Sequence, residues 1–129
     1  MRILFAGTPE VTIPALEWIQ ASNHDLVAVL TRPAAAQGRR SELIDSPVAK
    51  FAMENKINVF TSLADLRSEK ILESVDLVVV IAYGKLIPEE LLKIPKHGWI
   101  NVHFSILPKY RGAAPVQRAI WNGEEESGI

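Results

Sequence analysis

Hydrophobic residues along the chain occur in short continuous runs, separated by stretches with helical spacing. Residues 77–82 are β-branched and apolar on both faces, which is typical of a central parallel strand covered by helices. The alternation predicts an α/β fold with a doubly wound, mostly parallel sheet and helices on both faces. The predicted strands are residues 3–6, 26–31, 58–60, 77–82 and 99–104. The predicted helices are residues 12–22, 48–55, much of 67–74, 88–93 and 114–121, with Thr12 as a cap and Pro14 in the first turn.

Composition and charge limit the partners and the kinds of site that the protein can have. The 129 residues include 14 Lys+Arg and 15 Asp+Glu, for a net charge of -1. The whole molecule therefore does not attract nucleic acid or an anionic membrane, and any nucleic-acid contact must use a local basic patch. The absence of cysteine excludes disulfides and thiolate metal sites. Because the longest apolar run is far too short to span a bilayer, we interpret the chain as a cytoplasmic protein without a membrane partner.

Sheets of this type bind ligands beyond the carboxyl ends of their strands. The first strand ends in Gly7-Thr8-Pro9-Glu10, which lacks the further glycines of a dinucleotide fingerprint and the lysine of a P-loop. This segment is either a tight turn or a turn whose amides approach a ligand. Tyr83-Gly84, after the central strand, allows the same two interpretations.

A long connection with three arginines follows the second strand. Residues 32–46 contain Arg32, Arg39 and Arg40, and the Ala34-Ala35-Ala36 run and Gly38 between them offer no core anchor. Arginines on a long loop suit phosphate contacts, which need charge more than exact geometry. The alternative is a solvated, flexible loop.

Two polar residues mark the end of the fifth predicted strand. Residues two apart in a strand share a face, so Asn101 and His103 are expected side by side. An amide donor beside an imidazole suits an oxyanion and a proton in acyl transfer to an amine. The alternative is an Asn-His pair that only holds a neighbouring loop. His24 and His97 lack acidic neighbours at ligand spacing, so we expect both on the surface and expect no metal site.

The segment around these two residues carries the most specific pattern in the chain. N-V-H at 101–103, S-I-L-P at 105–108 and R-G at 111–112 together resemble the signature of folate-dependent formyltransferases. The flanks A-A-P-V-Q at 113–117 and F-A-G-T-P at 5–9 are similar to the methionyl-tRNA branch of that family. The resemblance extends over the whole chain.

The resemblance implies a Rossmann-like formyltransferase fold and a reaction. A formyl group would pass from 10-formyltetrahydrofolate to the α-amino group of initiator methionyl-tRNA in translation initiation, without a metal. Asn101 and His103 would be the catalytic pair flanking the formyl carbon. The arginine loop, with Arg32, Arg39 and Arg40, would meet the acceptor end of the tRNA. The residues expected to contact the folate are Ser105, Ile106, Leu107, Pro108, Tyr83 and Gly84.

The chain departs from the family pattern in two places. The basic loop carries three alanines at 34–36 and ends D-S-P-V at 45–48, where the family usually has P-S-P-V. After the glutamates at 124–126, interpreted as a solvated turn, family members continue to an aspartate that orients the histidine and to a C-terminal tRNA-binding domain. We therefore expect residues 1–129 to be the N-terminal part of the catalytic domain, C-terminally truncated, with that second domain absent.

The truncation sets further expectations. The fragment should have little activity alone, its residues 99–104 should lie at or near a sheet edge, and the full-length protein should be a monomer. Two alternative functions remain open. One is the same chemistry on an amino-sugar nucleotide or glycinamide ribonucleotide, and the other is a non-catalytic folate- or nucleotide-binding module.

Overall fold

The computed structural model describes residues 1–37 and 42–129 as seven strands and five α-helices. Residues 10–12 and 71–74 add short 3-10 turns. The strands are β1 (Arg2–Gly7), β2 (Asp25–Leu30), β3 (Ala35–Gln37), β4 (Glu42–Ile44), β5 (Asn58–Phe60), β6 (Leu77–Ile81) and β7 (Trp99–Val102). The helices are α1 (Ile13–Ala21), α2 (Pro47–Glu54), α3 (Leu63–Ser68), α4 (Glu89–Leu92) and α5 (Pro115–Trp121).

Five of the strands form one parallel sheet in the order β5-β2-β1-β6-β7. The chain winds outward from β1 in one direction to β5 and then in the other direction to β7. This reversal makes the β1–β6 boundary the switch point, where a crevice opens beyond the carboxyl ends of the strands. The predicted doubly wound parallel sheet is therefore confirmed, and so are the central position of β6 and the edge position of β7 within the described sheet.

Helices cover the two faces of the sheet. On one face, alternate β1 residues pack against apolar side chains of α1 and α2, with Leu16 and Val48 fully buried. On the other face, Leu66 of α3 and Leu91 of α4 pack against the opposite set of β1 residues. Burial on both faces explains why residues 3–7 of β1 and all of β6 are apolar.

The structure corrects three predicted elements. The predicted helix within residues 67–74 is two pieces, α3 and a 3-10 turn, because Lys70 between them adopts a left-handed backbone with φ 52°. The fifth strand ends at Val102 rather than at residue 104. Thr12 does occupy the position before α1, but its hydroxyl donates to the Pro9 carbonyl instead of capping the helix.

The described parts of the long connection after β2 contain regular structure. Strands β3 and β4 pair as an antiparallel hairpin within residues 32–46, which the sequence analysis did not predict. Ser46 then caps α2, and its Oγ lies 2.7 Å from Oγ1 of the buried Thr31. Both ends of the connection are thus attached to the sheet.

Among the helices of residues 1–37 and 42–129, none has both the length and the hydrophobicity that a bilayer crossing requires.

Candidate active site

The exits of β1 and β6 are joined closely at the switch point. A Cβ on Gly7 would stand only 2.8 Å from the Ile81 carbonyl oxygen, so the two backbones approach as only a glycine allows. The Thr8 hydroxyl donates to the Tyr83 carbonyl at 3.3 Å. The Gly7–Glu10 segment therefore forms a tight junction between the ends of β1 and β6.

The Tyr83 side chain lies in the core, whereas the backbone of Gly84 contacts the exposed Arg32. The Tyr83 ring is 1% exposed and packs in the core face that holds Leu66 and Leu91. Burial raises the pKa of its phenol, and the hydroxyl has no hydrogen-bond partner among the described residues. The Gly84 carbonyl accepts a long hydrogen bond of 3.4 Å from the Arg32 guanidinium. Neither residue lines the cavity beyond β7, so their predicted folate contacts stay a prediction.

A cavity of about 450 Å³ opens where β7 ends. Asn101 and His103 both line it, although the strand stops at Val102 and strict alternation no longer orients the histidine. Three of the four residues of the S-I-L-P turn line the same cavity, while the exposed Pro108 lies outside its lining. The lining residues are Asn101, Val102, His103, Ser105, Ile106, Leu107 and Ile129.

The imidazole of His103 is held on both sides. Its Nδ1 lies 2.9 Å from the Ser105 hydroxyl, and its Nε2 lies 3.2 Å from the Gly112 carbonyl oxygen. The Ser105 hydroxyl also donates to the Lys109 carbonyl at 2.7 Å. These contacts, and not a strand register, set the direction of the ring. Ser105 was expected from the sequence to contact the folate, and its contact with His103 was not predicted, although the spacing of two residues was an available signal.

The turn beyond Ser105 is fastened by Glu124, the first of three exposed glutamates at residues 124–126. The Glu124 carboxylate accepts hydrogen bonds from the Tyr110 hydroxyl at 2.6 Å and from the Lys109 ammonium at 3.0 Å. The bond from Tyr110, followed by that from Lys109, holds the pKa of Glu124 below its usual value, and the same carboxylate raises the pKa of Lys109. Because these partners are 14 and 15 residues apart, the sequence carried no local signal for the contact.

The basic residues and the other histidines complete the set of predicted positions. Arg32 is exposed and reaches across to the β6 exit, whereas Arg39 and Arg40 lie outside the described residues. His97 is exposed as predicted, and His24 is half-buried next to the chain's first amino group. In the part of the chain that the structure describes, no three His, Cys, Asp or Glu side chains converge on a possible metal position.

The geometry defines what the cavity can do chemically. It offers a neutral amide donor and an oriented imidazole beside an exposed apolar surface from Ile106 and Leu107. An amide can stabilise a developing oxyanion, and an imidazole can move a proton. An oxyanion donor and a proton acceptor are the two groups that acyl transfer to an amine uses.

Comparison with known proteins assigns the class. The family model described as formyl transferase matches residues 1–129, so the chain belongs to the formyl transferase family. Within that family, the chain is 51% identical to a methionyl-tRNA formyltransferase of Salinispora tropica, over 99% of this chain and 43% of that protein. It is likewise 51% identical to a methionyl-tRNA formyltransferase of Cutibacterium acnes, over 99% of this chain and 42% of that one. The chain thus spans less than half the length of these relatives.

Solved structures agree on the fold. A phosphoribosylglycinamide formyltransferase from Anaplasma phagocytophilum superposes with a TM-score of 0.70 at 20% identity, over 95% of this chain and 59% of that one. A formyltetrahydrofolate deformylase from Pseudomonas syringae superposes with a TM-score of 0.67 at 19% identity, over 95% of this chain and 41% of that chain. At such identities the likeness concerns the fold alone.

Proposed function

We propose that this chain supplies the catalytic pair of an enzyme that formylates initiator methionyl-tRNA with 10-formyltetrahydrofolate. The observation that carries the proposal is the meeting of Asn101 and His103 in one open cavity directly beside the S-I-L-P turn. The 51% identity to methionyl-tRNA formyltransferases favours this acceptor over other amines.

Each residue has a distinct task in this mechanism. The α-amino group of methionine attacks the formyl carbon, a new C–N bond forms, and the carbonyl electrons move onto oxygen. The Asn101 amide donates to that oxyanion, and His103 accepts the proton that the attacking nitrogen loses. The oxyanion electrons then re-form the carbonyl, the bond from carbon to the folate nitrogen breaks, and that nitrogen takes up the proton held on His103 as the carrier leaves.

The cavity is suited to the formyl carrier. Its volume lies within the range of small-molecule sites, and Ile106 and Leu107 are each more than half exposed, which gives the face of a flat ring an apolar surface to lie against. Within the S-I-L-P turn, Ile106 and Leu107 would flank the pteridine, with backbone groups of Tyr83 and Gly84 reached from the switch point. The chain itself would provide binding and orientation, while the reactive formyl group comes with the carrier.

The tRNA would be held through charge. Arg32 presents an exposed guanidinium on the carboxyl-end side of the sheet, and Arg39 and Arg40 continue the same connection. Phosphate contacts of this kind weaken steeply with salt. Replacing Arg39 and Arg40 by alanine should therefore weaken tRNA binding and flatten its salt dependence, with little effect on folate binding.

The acceptor is tested with a chimaera in which this chain replaces the matching segment of the Salinispora tropica relative. Methionyl-tRNA, glycinamide ribonucleotide and an amino-sugar nucleotide are offered separately with 10-formyltetrahydrofolate. Formylation of methionyl-tRNA alone is the expected result. Preference for either other amine would replace the proposed acceptor, and folate binding without any transfer would indicate a binding module.

The residue roles are tested in the same chimaera. Asn101→Ala should lower kcat by about 10²–10³ through loss of an oxyanion donor. His103→Ala should lower it by about 10²–10⁴ through loss of the proton acceptor. Folate affinity, measured by calorimetry, should change little in both variants. Full activity of His103→Ala would end its assignment, and the isolated 129-residue chain is expected to turn over poorly or not at all.

A further inference from the structure

Ser105 has the geometry of a residue that works through His103 instead of touching a ligand. It is 2% exposed, and its hydroxyl lies between Nδ1 of His103 at 2.9 Å and the Lys109 carbonyl oxygen at 2.7 Å. Both contacts leave the hydroxyl little freedom to meet a third group. Within the S-I-L-P turn, Ile106 and Leu107 are therefore exposed toward a ligand, whereas Ser105 is buried against His103.

The hydrogen bonds have one consistent assignment of protons. A carbonyl oxygen can only accept, so the Ser105–Lys109 contact exists only when the hydroxyl donates its single proton to the carbonyl. The hydroxyl oxygen must then accept from the imidazole, which requires the proton on Nδ1. The opposite assignment would leave the Lys109 carbonyl without that donor.

The second nitrogen has a weaker and more exposed contact. Nε2 lies 3.2 Å from the Gly112 carbonyl oxygen, which can accept only from a protonated Nε2. A neutral ring carries a proton on only one nitrogen. With the proton on Nε2, the ring donates to Gly112 and accepts from Ser105, and the Lys109 carbonyl loses its donor; with the proton on Nδ1, the Lys109 contact is kept and the Gly112 contact is lost. The Ser105–Lys109 contact at 2.7 Å is the shorter and the less exposed of the two, so the Nδ1 tautomer prevails.

We propose that Ser105 is a positioning residue that holds neutral His103 in the tautomer with its proton on Nδ1. Nε2 is then the nitrogen left free to accept a proton, and this second half of the inference rests on the proposed function. When the attacking amine gives its proton to Nε2, the Gly112 carbonyl becomes a real acceptor at 3.2 Å. The resulting imidazolium satisfies all three contacts.

The tautomer can be measured without substrate. Two-bond ¹⁵N–¹H correlation spectra of the 129-residue chain report which ring nitrogen carries the proton in each of its three histidines. His24→Gln and His97→Gln variants assign the signals. At a pH where the ring is neutral, the expected result is an Nδ1–H signal for His103. An Nε2–H signal in the unaltered chain would overturn the proposal, whether or not any variant folds.

The Ser105→Ala variant tests the cause. It leaves the Gly112 carbonyl as the ring's polar contact, so the proton should move to Nε2. Ser46→Ala is the matched control because it also removes a buried serine hydroxyl, and its partner Thr31 follows β2, which β1 and β6 separate from β7. It should destabilise the fold while leaving the His103 tautomer unchanged. An unchanged tautomer in Ser105→Ala would contradict the positioning role.

Kinetics in the chimaera separate this inference from the proposed function. With the wrong tautomer, kcat should fall at least about tenfold, a part of the 10²–10⁴ that a general base contributes, while KM for the formyl donor stays nearly constant. A rise in KM alone would instead mean that Ser105 contacts the donor, which would overturn its role. If the chimaera transfers no formyl group, the tautomer measurement still decides the first half of the proposal.

Discussion

The hydroxyl pair of Thr31 and Ser46 gives the sharpest test of how the arginine connection is attached to the sheet. Thr31 is 0% exposed at the end of β2, and Ser46 is 8% exposed at the start of α2. Their oxygens are 2.7 Å apart, and Ser46 Oγ also accepts from the Ala49 amide at 3.0 Å. One serine therefore caps a helix and satisfies a buried hydroxyl.

The expected cost of Ser46→Ala follows from these two tasks. Loss of an N-cap costs about 1 kcal/mol. Leaving the buried Thr31 hydroxyl without a partner costs about 1–3 kcal/mol more. The free energy of unfolding should thus fall by roughly 2–4 kcal/mol, which is a large share of the 5–15 kcal/mol typical of a domain.

A matched control separates the two tasks. Ser62 caps α3 by accepting from the Asp65 amide at 3.1 Å, but without a hydroxyl partner among the described contacts. Ser62→Ala should therefore cost only the cap, about 1 kcal/mol. Thr31→Val combined with Ser46→Ala removes the orphaned hydroxyl, so the double variant should be less destabilised than the sum of its two single variants.

The assay is urea unfolding of the four variants, followed by far-ultraviolet circular dichroism. The coupling energy between Thr31 and Ser46 should be about 1–2 kcal/mol, within the range for residues in contact. Equal losses for Ser46→Ala and Ser62→Ala, or strict additivity in the double variant, would refute the argument from the buried pair.

Three further substitutions test other contacts. Gly7→Ala would place a Cβ 2.8 Å from the Ile81 carbonyl oxygen, so it should cost about 1–3 kcal/mol in urea unfolding; an unchanged midpoint would argue against the close approach. Tyr83→Phe removes a buried hydroxyl that has no partner among the described residues, so it should raise the free energy of unfolding by about 1 kcal/mol, and a clear loss would reveal a missed partner. The pKa of Glu124 is lowered in the folded chain, chiefly by Tyr110. Its contribution to stability is therefore complete above its unfolded pKa and is lost as the pH falls through the lower folded value. The stability difference from Glu124→Gln, measured from about pH 7 to pH 3, should shrink on acidification, and a constant difference would contradict this linkage.

The limits of sequence-based prediction are clearest at particular residues. Leu77–Ile81 was correctly predicted as a central strand because a strand buried on both faces must be apolar throughout. The extent of β7 was wrong by two residues because hydrophobic periodicity continues past the point where backbone pairing with β6 ends. The hairpin of β3 and β4 was missed because each strand has only three residues, too few to show a periodic pattern.

The amino-acid sequence by itself determined the fold class, the family and the neighbourhood of Asn101 and His103, because these depend on local hydrophobic periodicity and on one contiguous motif. Only the tertiary structure decided how His103 is oriented and what fastens the turn beside it. Those contacts involve the Lys109 and Gly112 carbonyls and the Glu124 carboxylate. Every residue has a backbone carbonyl, and a glutamate after a helix is usually solvated, so neither can be recognised as a partner until the folded chain brings it within hydrogen-bonding distance.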